Sequence, residues 1–412
     1  MIRKLPMLSA IKGLTGAQIL LESHMHSSER MTLAFIKTAV ENGAHVANYV
    51  QAGQLLVEGK RVVGVGATDG LTGDEFSMRA RMVVNSAGPY TQAINETVPG
   101  LRLHHRLTGF SRGVHLVTRQ LEPDYAMALT TKKKTEGFIT RGGRHFFIIP
   151  WRNRSLIGTT NVPLTETLDD IRVTQKDVED FLFDINEALP SVKLTRDDVF
   201  YAFTGIYPII AREIKPDTYQ GTGEFQIVDH GRKDGIEGIV TALGAKFTTA
   251  RNVARLAVDL VADKLGGNVA ACRTVETQLL EGRIDDIEGF TADCLGKYAA
   301  LLPEESIHHL LRNYGRKIED VISLGKQRNM LTRLCPERET LEIEIYYGVR
   351  HEMAITLDDV LFRRTGLGTI GHPGKEAVAR CADLMGDILG WDDAEKEQQI
   401  AVVQRRYDSW QE

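Results

Sequence analysis

Gly238-Ile-Val-Thr-Ala-Leu-Gly-Ala-Lys-Phe-Thr-Thr-Ala-Arg251, running directly into Asn-Val-Ala-Arg-Leu-Ala-Val-Asp-Leu-Val-Ala-Asp-Lys264, decides how this chain reads. Ile239, Val240, Ala242 and Leu243 form an apolar run short enough for a buried strand. A small-residue turn follows. Beyond it, Val253, Leu256, Ala257, Leu260 and Val261 recur at helical spacing and predict one buried face of an amphipathic helix. Thr248 and Thr249 stand where the first orphan N–H groups of that helix need acceptors. Gly244 and Ala245 allow a flat or anionic ligand to approach the backbone. Lys246 places a cation inside the turn. An ordinary strand–helix connection explains a lone Gly-Ala-Lys equally well, so the rest of the chain has to decide.

Working outward, 412 residues suffice for two to three domains with a sizeable core. Hydrophobic content of 42% and charged content of 25% are ordinary for a globular protein. A formal charge of −5 argues against a nucleic-acid partner and against an extended basic membrane surface. Cys272, Cys294, Cys335 and Cys381 have no metal-site spacing, and no metal site is expected. Reduced, buried thiols in a cytoplasmic protein are. No apolar run reaches membrane-spanning length, and the first residues have too short an apolar core for a secretory signal.

Residues 29–41 predict a helix, with Ser27 or Ser28 as its N-cap and Gly43 closing it. Strands are expected at 45–50 and 54–57. The stretch 61–70 (Arg-Val-Val-Gly-Val-Gly-Ala-Thr-Asp-Gly) superficially matches a dinucleotide fingerprint, but no helix pattern follows Gly70. Asp69-Gly70 and Thr72-Gly73 read instead as hairpin turns between alternating strands. An apolar strand then ends at Asn85-Ser86-Ala87-Gly88 and leads into a helix over 90–96. A strand that stops at small residues opens its carboxyl end to a ligand. A plain strand–helix turn accounts for that segment equally well.

Residues 106–215 change character. Short strands are predicted at 113–118, 125–130, 137–139, 145–150, 155–160 and 199–210, interrupted by a helix at 175–189, as in a mostly antiparallel layer. From 267 onward the chain is helical, most clearly at 310–314, 318–324 and 342–362. The expected fold is α/β with an antiparallel β-rich substrate domain and a C-terminal α-helical domain. The division reads 1–105, 106–215, 216–268 and 269–412, the first and third parts sharing one nucleotide-binding layer. A first strand with its glycine turn and phosphate-facing helix is not evident.

Several motifs occur together in one order: Asn85-Ser-Ala-Gly-Pro-Tyr90, Arg112-Gly-Val-His-Leu-Val117, Phe147-Ile-Ile-Pro-Trp151, Leu156-Ile-Gly-Thr-Thr-Asn161, Phe203-Thr-Gly-Ile-Tyr-Pro208 and the stretch 241–251. With Val349-Arg-His-Glu-Met-Ala-Ile-Thr-Leu-Asp-Asp-Val-Leu-Phe-Arg-Arg-Thr365 they resemble the FAD-dependent, quinone-linked glycerol-3-phosphate dehydrogenases, within the D-amino-acid-oxidase-like flavoproteins. The resemblance spans about 16–368 and implies that an N-terminal portion of the family's core is absent here.

That resemblance implies an enzyme that uses FAD to oxidise glycerol 3-phosphate to dihydroxyacetone phosphate, passing electrons to a quinone or another acceptor. His115 matches the family's base. Imidazole suits removal of a hydroxyl proton near neutrality, as it also suits a satisfied inward-facing histidine. Lys246 matches a lysine facing the substrate phosphate; a solvated lysine is the bland alternative, although a helix start disfavours cations. Gly244, Phe247, Thr248 and Thr249 match positions wrapping the flavin, Ala87 and Gly88 end the strand beside it, and Gly158 and Thr159 approach its ring. His104, His105 and His145 read as surface or loop residues.

One departure bears on the substrate. Tyr207 stands where the family has an arginine that clamps phosphate, which exchanges a charged fork for one neutral donor. Arg212 and Lys215 are the candidates to compensate, and Arg212 joins the substrate set with Lys246 and Tyr207. Two other readings stay open: a 2-hydroxy-acid or amino-acid oxidoreductase, and a non-catalytic fragment or accessory subunit. The implied partners are a small anionic substrate and an electron acceptor, with no nucleic acid. Peripheral contact with the cytoplasmic membrane face and self-association are both compatible with the sequence.

Overall fold

Ser27, in extended conformation, accepts the N–H of Arg30 at 3.2 Å, and the chain enters its first helix, α1 (Ser28–Glu41). The computed structural model describes residues 4–103, 109–131, 145–165, 167–209, 225–244, 246–267 and 269–411. The expected strand at 137–139, together with His104, His105, Arg212, Lys215 and Ala245, lies outside the described residues.

After α1 comes an antiparallel meander of β1 (Val50–Glu58), β2 (Arg61–Asp69) and β3 (Glu75–Arg79). Gly64 and Gly66 sit within β2, so the hairpin reading of 61–70 holds. A Cβ at Gly64 would lie 2.1 Å from the Met78 carbonyl oxygen, so the close approach of β3 requires glycine there. The expected strands at 45–50 and 54–57 are replaced by one. Residues before Val50 are taken by the helical domain instead. Tyr49 adopts φ +57° and donates to Asp359 at 2.8 Å, and Asn48 donates to the Met353 carbonyl at 2.7 Å.

β4 (Val83–Asn85) leads through a short turn into α2 (Thr91–Asn95). The β-rich insertion then runs β5 (Gly109–Thr118), β6 (Met127–Thr130), β7 (His145–Trp151), β8 (Arg154–Gly158), β9 (Val162–Pro163), the helix α3 (Gln175–Ala188) and β10 (Val199–Ile209). These strands make one antiparallel sheet in the order β10-β5-β8-β7-β6, with β9 also on β5. A reciprocal capping box between Thr174 and Asp177 starts α3. Phe181, Ile185 and Val178 of that helix pack on Val114, Leu116, Phe146, Ile148 and Ile157 to form the insertion's core. Strand alternation sends Val117 and Tyr201 to the opposite face, into a core shared with the helical domain.

The chain then returns as β11 (Gln226–Asp229), α4 (His230–Asp234), β12 (Ile239–Leu243) and α5 (Phe247–Leu265). β12 lies between β11, antiparallel, and β4, parallel, with Ile239, Val240 and Thr241 opposite Val83, Val84 and Asn85. Two strands separated by the whole insertion are thus neighbours in one layer. All of β12 is buried. On α5 the fully buried positions are Val253, Ala257 and Ala262, while Leu256, Leu260 and Val261 are half-buried.

The helical part comprises α6 (Ile287–Tyr298), α7 (Glu304–Tyr314), α8 (Ile318–Arg328), α9 (Glu342–Glu352), α10 (Lys375–Leu389) and α11 (Asp393–Asp408). The continuous helix expected over 342–362 is broken. α9 ends where Met353 takes φ +55°, and a wide π-type turn resumes over Asp359–Arg364. Asp359 causes the restart by accepting the N–H groups of Ile355 at 2.9 Å and Thr356 at 3.2 Å. All four cysteines are free thiols; Cys294, Cys335 and Cys381 are buried as expected, but Cys272 is exposed. No helix among the described residues is long and apolar enough to cross a membrane.

Candidate active site

A cavity of about 700 Å³ opens at the carboxyl ends of β4 and β12, bounded by the start of α5 and by residues 206–208 of β10. Gly88, Tyr207, Gly244, Lys246 and Phe247 all line it, so the fold collects five sequence-predicted residues from three distant segments. Apart from Ser86, the rest of its wall is apolar, including Val84, Ala254 and Val258. Volume and lining fall within the range of small-molecule sites.

The turn into α5 is built differently from the sequence expectation. Lys246, extended at φ −136° and ψ 131°, is the N-cap, and no side chain accepts the first helical N–H groups. Thr248 and Thr249 lie inside the first turn, where the Thr249 hydroxyl donates to the Lys246 carbonyl at 3.2 Å. The helix therefore presents an uncapped, positive N-terminus beside an exposed lysine that has no ion pair among the described residues. Gly88 takes φ +56°, with nothing within 4 Å of where a Cβ would stand. At Gly244 a Cβ would meet only Phe225 and Val253, both at 3.8 Å, an ordinary contact. Nothing among the described residues demands glycine at 244; its absent side chain keeps the cavity wall flat. Ala87 lies just behind that wall, and its N–H donates to Asn85 Oδ1 at 3.2 Å.

His115 occupies a second cluster on the same sheet. It pairs across β5 with Phe203 on β10 and with Gly158 on β8, and its ring stacks on Phe203 at 5.0 Å and 5°. The ring lies over Gly158, where a Cβ would come within 2.0 Å of His115 Cδ2 and 2.4 Å of Nε2. Nδ1 is enclosed without a hydrogen-bond partner among the described residues. Burial pulls the imidazole down to about 4, so it is neutral near pH 7. Thr159 is next to it, donating to the Val114 carbonyl at 3.3 Å.

Neither His115, Gly158 nor Thr159 lines the cavity itself. β10 joins the two clusters. Phe203, Gly205 and Tyr207 share one face of that strand by alternation, and four residues separate the stacked ring from Tyr207, roughly 13 Å at strand rise. Gly205, between them, has nothing within 4 Å of a would-be Cβ among the described residues. Tyr207 does not project a free hydroxyl; it donates to Asn161 Oδ1 at 2.8 Å. His145 is exposed, 2.9 Å from the Thr130 hydroxyl, as expected for a surface residue.

Beneath the strand ends runs a buried polar chain that the sequence reading missed. Asn85 donates to Asn95 Oδ1 at 2.8 Å, and Asn95 donates to the Thr241 hydroxyl at 3.1 Å. His230, fully buried, lies 2.8 Å from that hydroxyl and 2.5 Å from Asp234. These bonds lock β4, α2, β12 and α4 together directly behind Gly88 and Gly244. Two polar residues inside apolar strands, Asn85 and Thr241, were the available signal.

A parallel strand pair with a ligand-sized crevice at its carboxyl ends, completed by an antiparallel sheet carrying a buried histidine, defines a nucleotide-cofactor oxidoreductase architecture. Residues 2–260 match the family described as FAD dependent oxidoreductase, and the chain belongs to that family. Residues 244–396 match the C-terminal domain of alpha-glycerophosphate oxidase. The chain is 28% identical to a glycerol-3-phosphate dehydrogenase of Synechocystis sp., over 94% of this chain and 70% of that one. It is 31% identical to the mitochondrial glycerol-3-phosphate dehydrogenase of Mus musculus, over 97% of this chain but 54% of that one. The chain thus spans little more than half the length of the mitochondrial relatives. Among solved structures, the glycerol-3-phosphate dehydrogenase from Bacillus halodurans complexed with FAD matches with a TM-score of 0.75 and 27% identity, covering 93% of this chain and 73% of that one.

Proposed function

We propose that this chain carries out FAD-dependent oxidation of glycerol 3-phosphate to dihydroxyacetone phosphate, with electrons passed on to a quinone-type acceptor. The observation that carries the reading is the turn at 244–247. An uncapped helix start and a lysine with no ion pair among the described residues meet a glycine that their packing does not require, inside a largely apolar cavity. That combination suits a planar ring beside an anion.

The wall at Gly88 and Gly244, with Phe247 at its edge, fits the ring end of FAD, and at Gly88 nothing lies within 4 Å of where a Cβ would stand. When bound, FAD supplies the acceptor for the hydride leaving the alcohol carbon. Lys246 and the α5 N-terminus bind the substrate's anionic group, and Tyr207, fixed by Asn161, forms a wall. His115 takes the hydroxyl proton. Its neutral imidazole is available as an acceptor at working pH, and an anionic substrate alongside raises its proton affinity. Residues 1–105 and 216–268 form the cofactor layer in this reading, 106–215 cover the substrate and 269–412 form the helical domain. The site of action is the cytoplasmic face of the membrane holding the acceptor.

A 2-hydroxy-acid or amino-acid substrate is favoured by one observation, the neutral and already bonded Tyr207 in the pocket wall. Anaerobic bleaching of the FAD-loaded protein separates the two readings. Glycerol 3-phosphate should bleach the flavin, and Lys246→Ala should raise KM more than it lowers kcat, since the charge is held in ground and transition states alike. Bleaching by a 2-hydroxy acid or a D-amino acid, with none by glycerol 3-phosphate, would overturn the proposal.

A further inference from the structure

A second cavity, of about 690 Å³, lies between the β7–β8 turn and the helical domain. Arg152, Arg154, Arg312 and Arg338 line it. Arg152 and Asn153 form the two-residue turn between paired Trp151 and Arg154, both with positive φ, 51° and 57°. That geometry is ordinarily given to Asn or Gly, and here it carries a guanidinium.

Among the described residues, three of these arginines are held by neutral groups only. Arg152 donates to the Gly366 carbonyl and the Thr369 hydroxyl, each at 3.0 Å, and lies over the Trp151 ring at 4.7 Å. Arg154 lies over the Phe200 ring at 4.3 Å. Arg338 donates to the Ile370 carbonyl at 3.4 Å. In all three the Nε–H is enclosed and has no acceptor among the described residues. Several other buried or half-buried arginines meet carboxylates: Arg30 meets Glu352, Arg112 meets Asp177 and Arg406 meets Asp358, whereas Arg364 donates to the Glu352 carbonyl. Glu305, Glu337 and Glu339 also line the cavity, yet among the described residues no carboxylate lies within 4.0 Å of its four arginines. Burial holds Arg152 down at about 10, outweighing the more distant Glu29 and Glu344, and burial together with Arg338 lowers Arg154, so the cluster holds partly desolvated guanidinium groups without a direct carboxylate contact among the described residues.

We propose that this cavity is an anion site separate from the flavin cavity, and that it takes a small phosphate-bearing solute. Planar guanidinium groups with free N–H donors, fixed in advance by ring stacking, recognise phosphate oxygens in pairs. The enclosure between a β-turn and a helical domain suits a compact solute rather than an extended polymer. Occupancy would join the two elements and stabilise the folded protein by linkage.

Pyrophosphate and inorganic phosphate are the probes, titrated into the full chain by calorimetry with a parallel thermal-shift measurement. Saturable binding is expected, with a rise in Tm. Arg154→Gln and Arg338→Gln should each weaken it by about tenfold or more, the scale of one lost charge-assisted bond. Lys246→Ala should leave the arginine-dependent component intact, any phosphate bound at the α5 start being a separate class of site. Arg312→Gln, at an exposed residue with no described bond, gives the same test if either of the other variants fails to fold. A co-sedimentation arm uses vesicles of phosphatidylcholine with anionic phosphatidylglycerol. Unchanged pyrophosphate binding in the arginine variants, or complete loss of it in Lys246→Ala, would overturn the proposal. Arginine-dependent vesicle binding without binding of the free phosphates would overturn it in favour of a lipid headgroup.

Discussion

Gly158→Ala puts a methyl group where the His115 ring lies. The new Cβ would stand 2.0 Å from Cδ2, 2.4 Å from Nε2 and 3.0 Å from Cγ, against the 3.4 Å at which ordinary contact begins. The ring must therefore withdraw by about 1.4 Å, and it is backed by the stacked Phe203. Overpacking of this kind costs about 1–3 kcal/mol, and partial loss of the stack adds about 0.5–1.5 kcal/mol. We expect a total near 2–4 kcal/mol. In a His115→Ala background the same methyl finds empty space, and only the ordinary gain of about 0.5–1 kcal/mol from replacing glycine in a strand remains. The double-mutant cycle should therefore show a coupling of similar size to the single-mutant cost. Urea unfolding followed by circular dichroism, on the parent, both single variants and the double variant, measures it. Equal cost of Gly158→Ala in both backgrounds would refute the argument that this glycine exists to seat the imidazole.

The same histidine sets a pH dependence. Its folded value is about 4 against an ordinary 6.5, so its contribution is full above pH 6.5 and is lost as pH falls towards 4, because only the unfolded chain takes up the proton. The loss reaches about 3 kcal/mol. The parent's urea midpoint should fall between pH 7 and pH 4.5 by more than that of His115→Phe; equal falls would remove burial as the cause. His26, also held at about 4 by burial with Arg152 and Arg312 nearby, contributes in the same direction to both proteins, so the comparison cancels it. In the helical domain, Glu352 is fully buried and meets Arg30 at 2.7 Å and Lys37 at 3.2 Å. Lys37 keeps Glu281 at 2.5 Å, so Glu352→Gln strands the buried Arg30 alone and should cost about 3 kcal/mol in thermal or urea unfolding; a loss below about 1 kcal/mol would mean that Arg30 finds another partner.

What the chain revealed by itself was whatever its local pattern determines. The apolar run at 239–243 and the helical spacing after it carry their own period, so β12 and α5 were readable, as was the antiparallel insertion between them. The failures share one cause, which is side chains from distant segments. Tyr49 leaves the strand pattern because Asp359 takes its hydroxyl, more than three hundred residues away in sequence. The helix over 342–362 breaks because that same carboxylate caps a new start at 355–356. Thr248 and Thr249 resemble capping residues, but the backbone turns earlier, at Lys246, two residues before Thr248. The Asn85–Asn95–Thr241–His230 chain and the arginine-lined cavity exist only once separate elements have been packed, so no spacing rule could have disclosed them.

Glycines provide a way to tell what folding demands from what a ligand demands. At Gly64 and Gly238 a Cβ would strike a carbonyl oxygen of a neighbouring strand at 2.1 Å, so packing alone explains both. At Gly158 it would strike a buried ring that is itself a candidate catalytic group. At Gly244 it would strike nothing closer than 3.8 Å, and φ there is not positive, so the fold would accept alanine. The neighbouring Lys246 is equally unaccounted for by folding, being a cation at a helix start, where the backbone dipole opposes it. Two residues in one turn, each neutral or unfavourable for the empty protein, line the same cavity. An anionic, flat-ended occupant resolves both at once, which is why function is assigned to this turn in preference to the better-packed glycines of the meander.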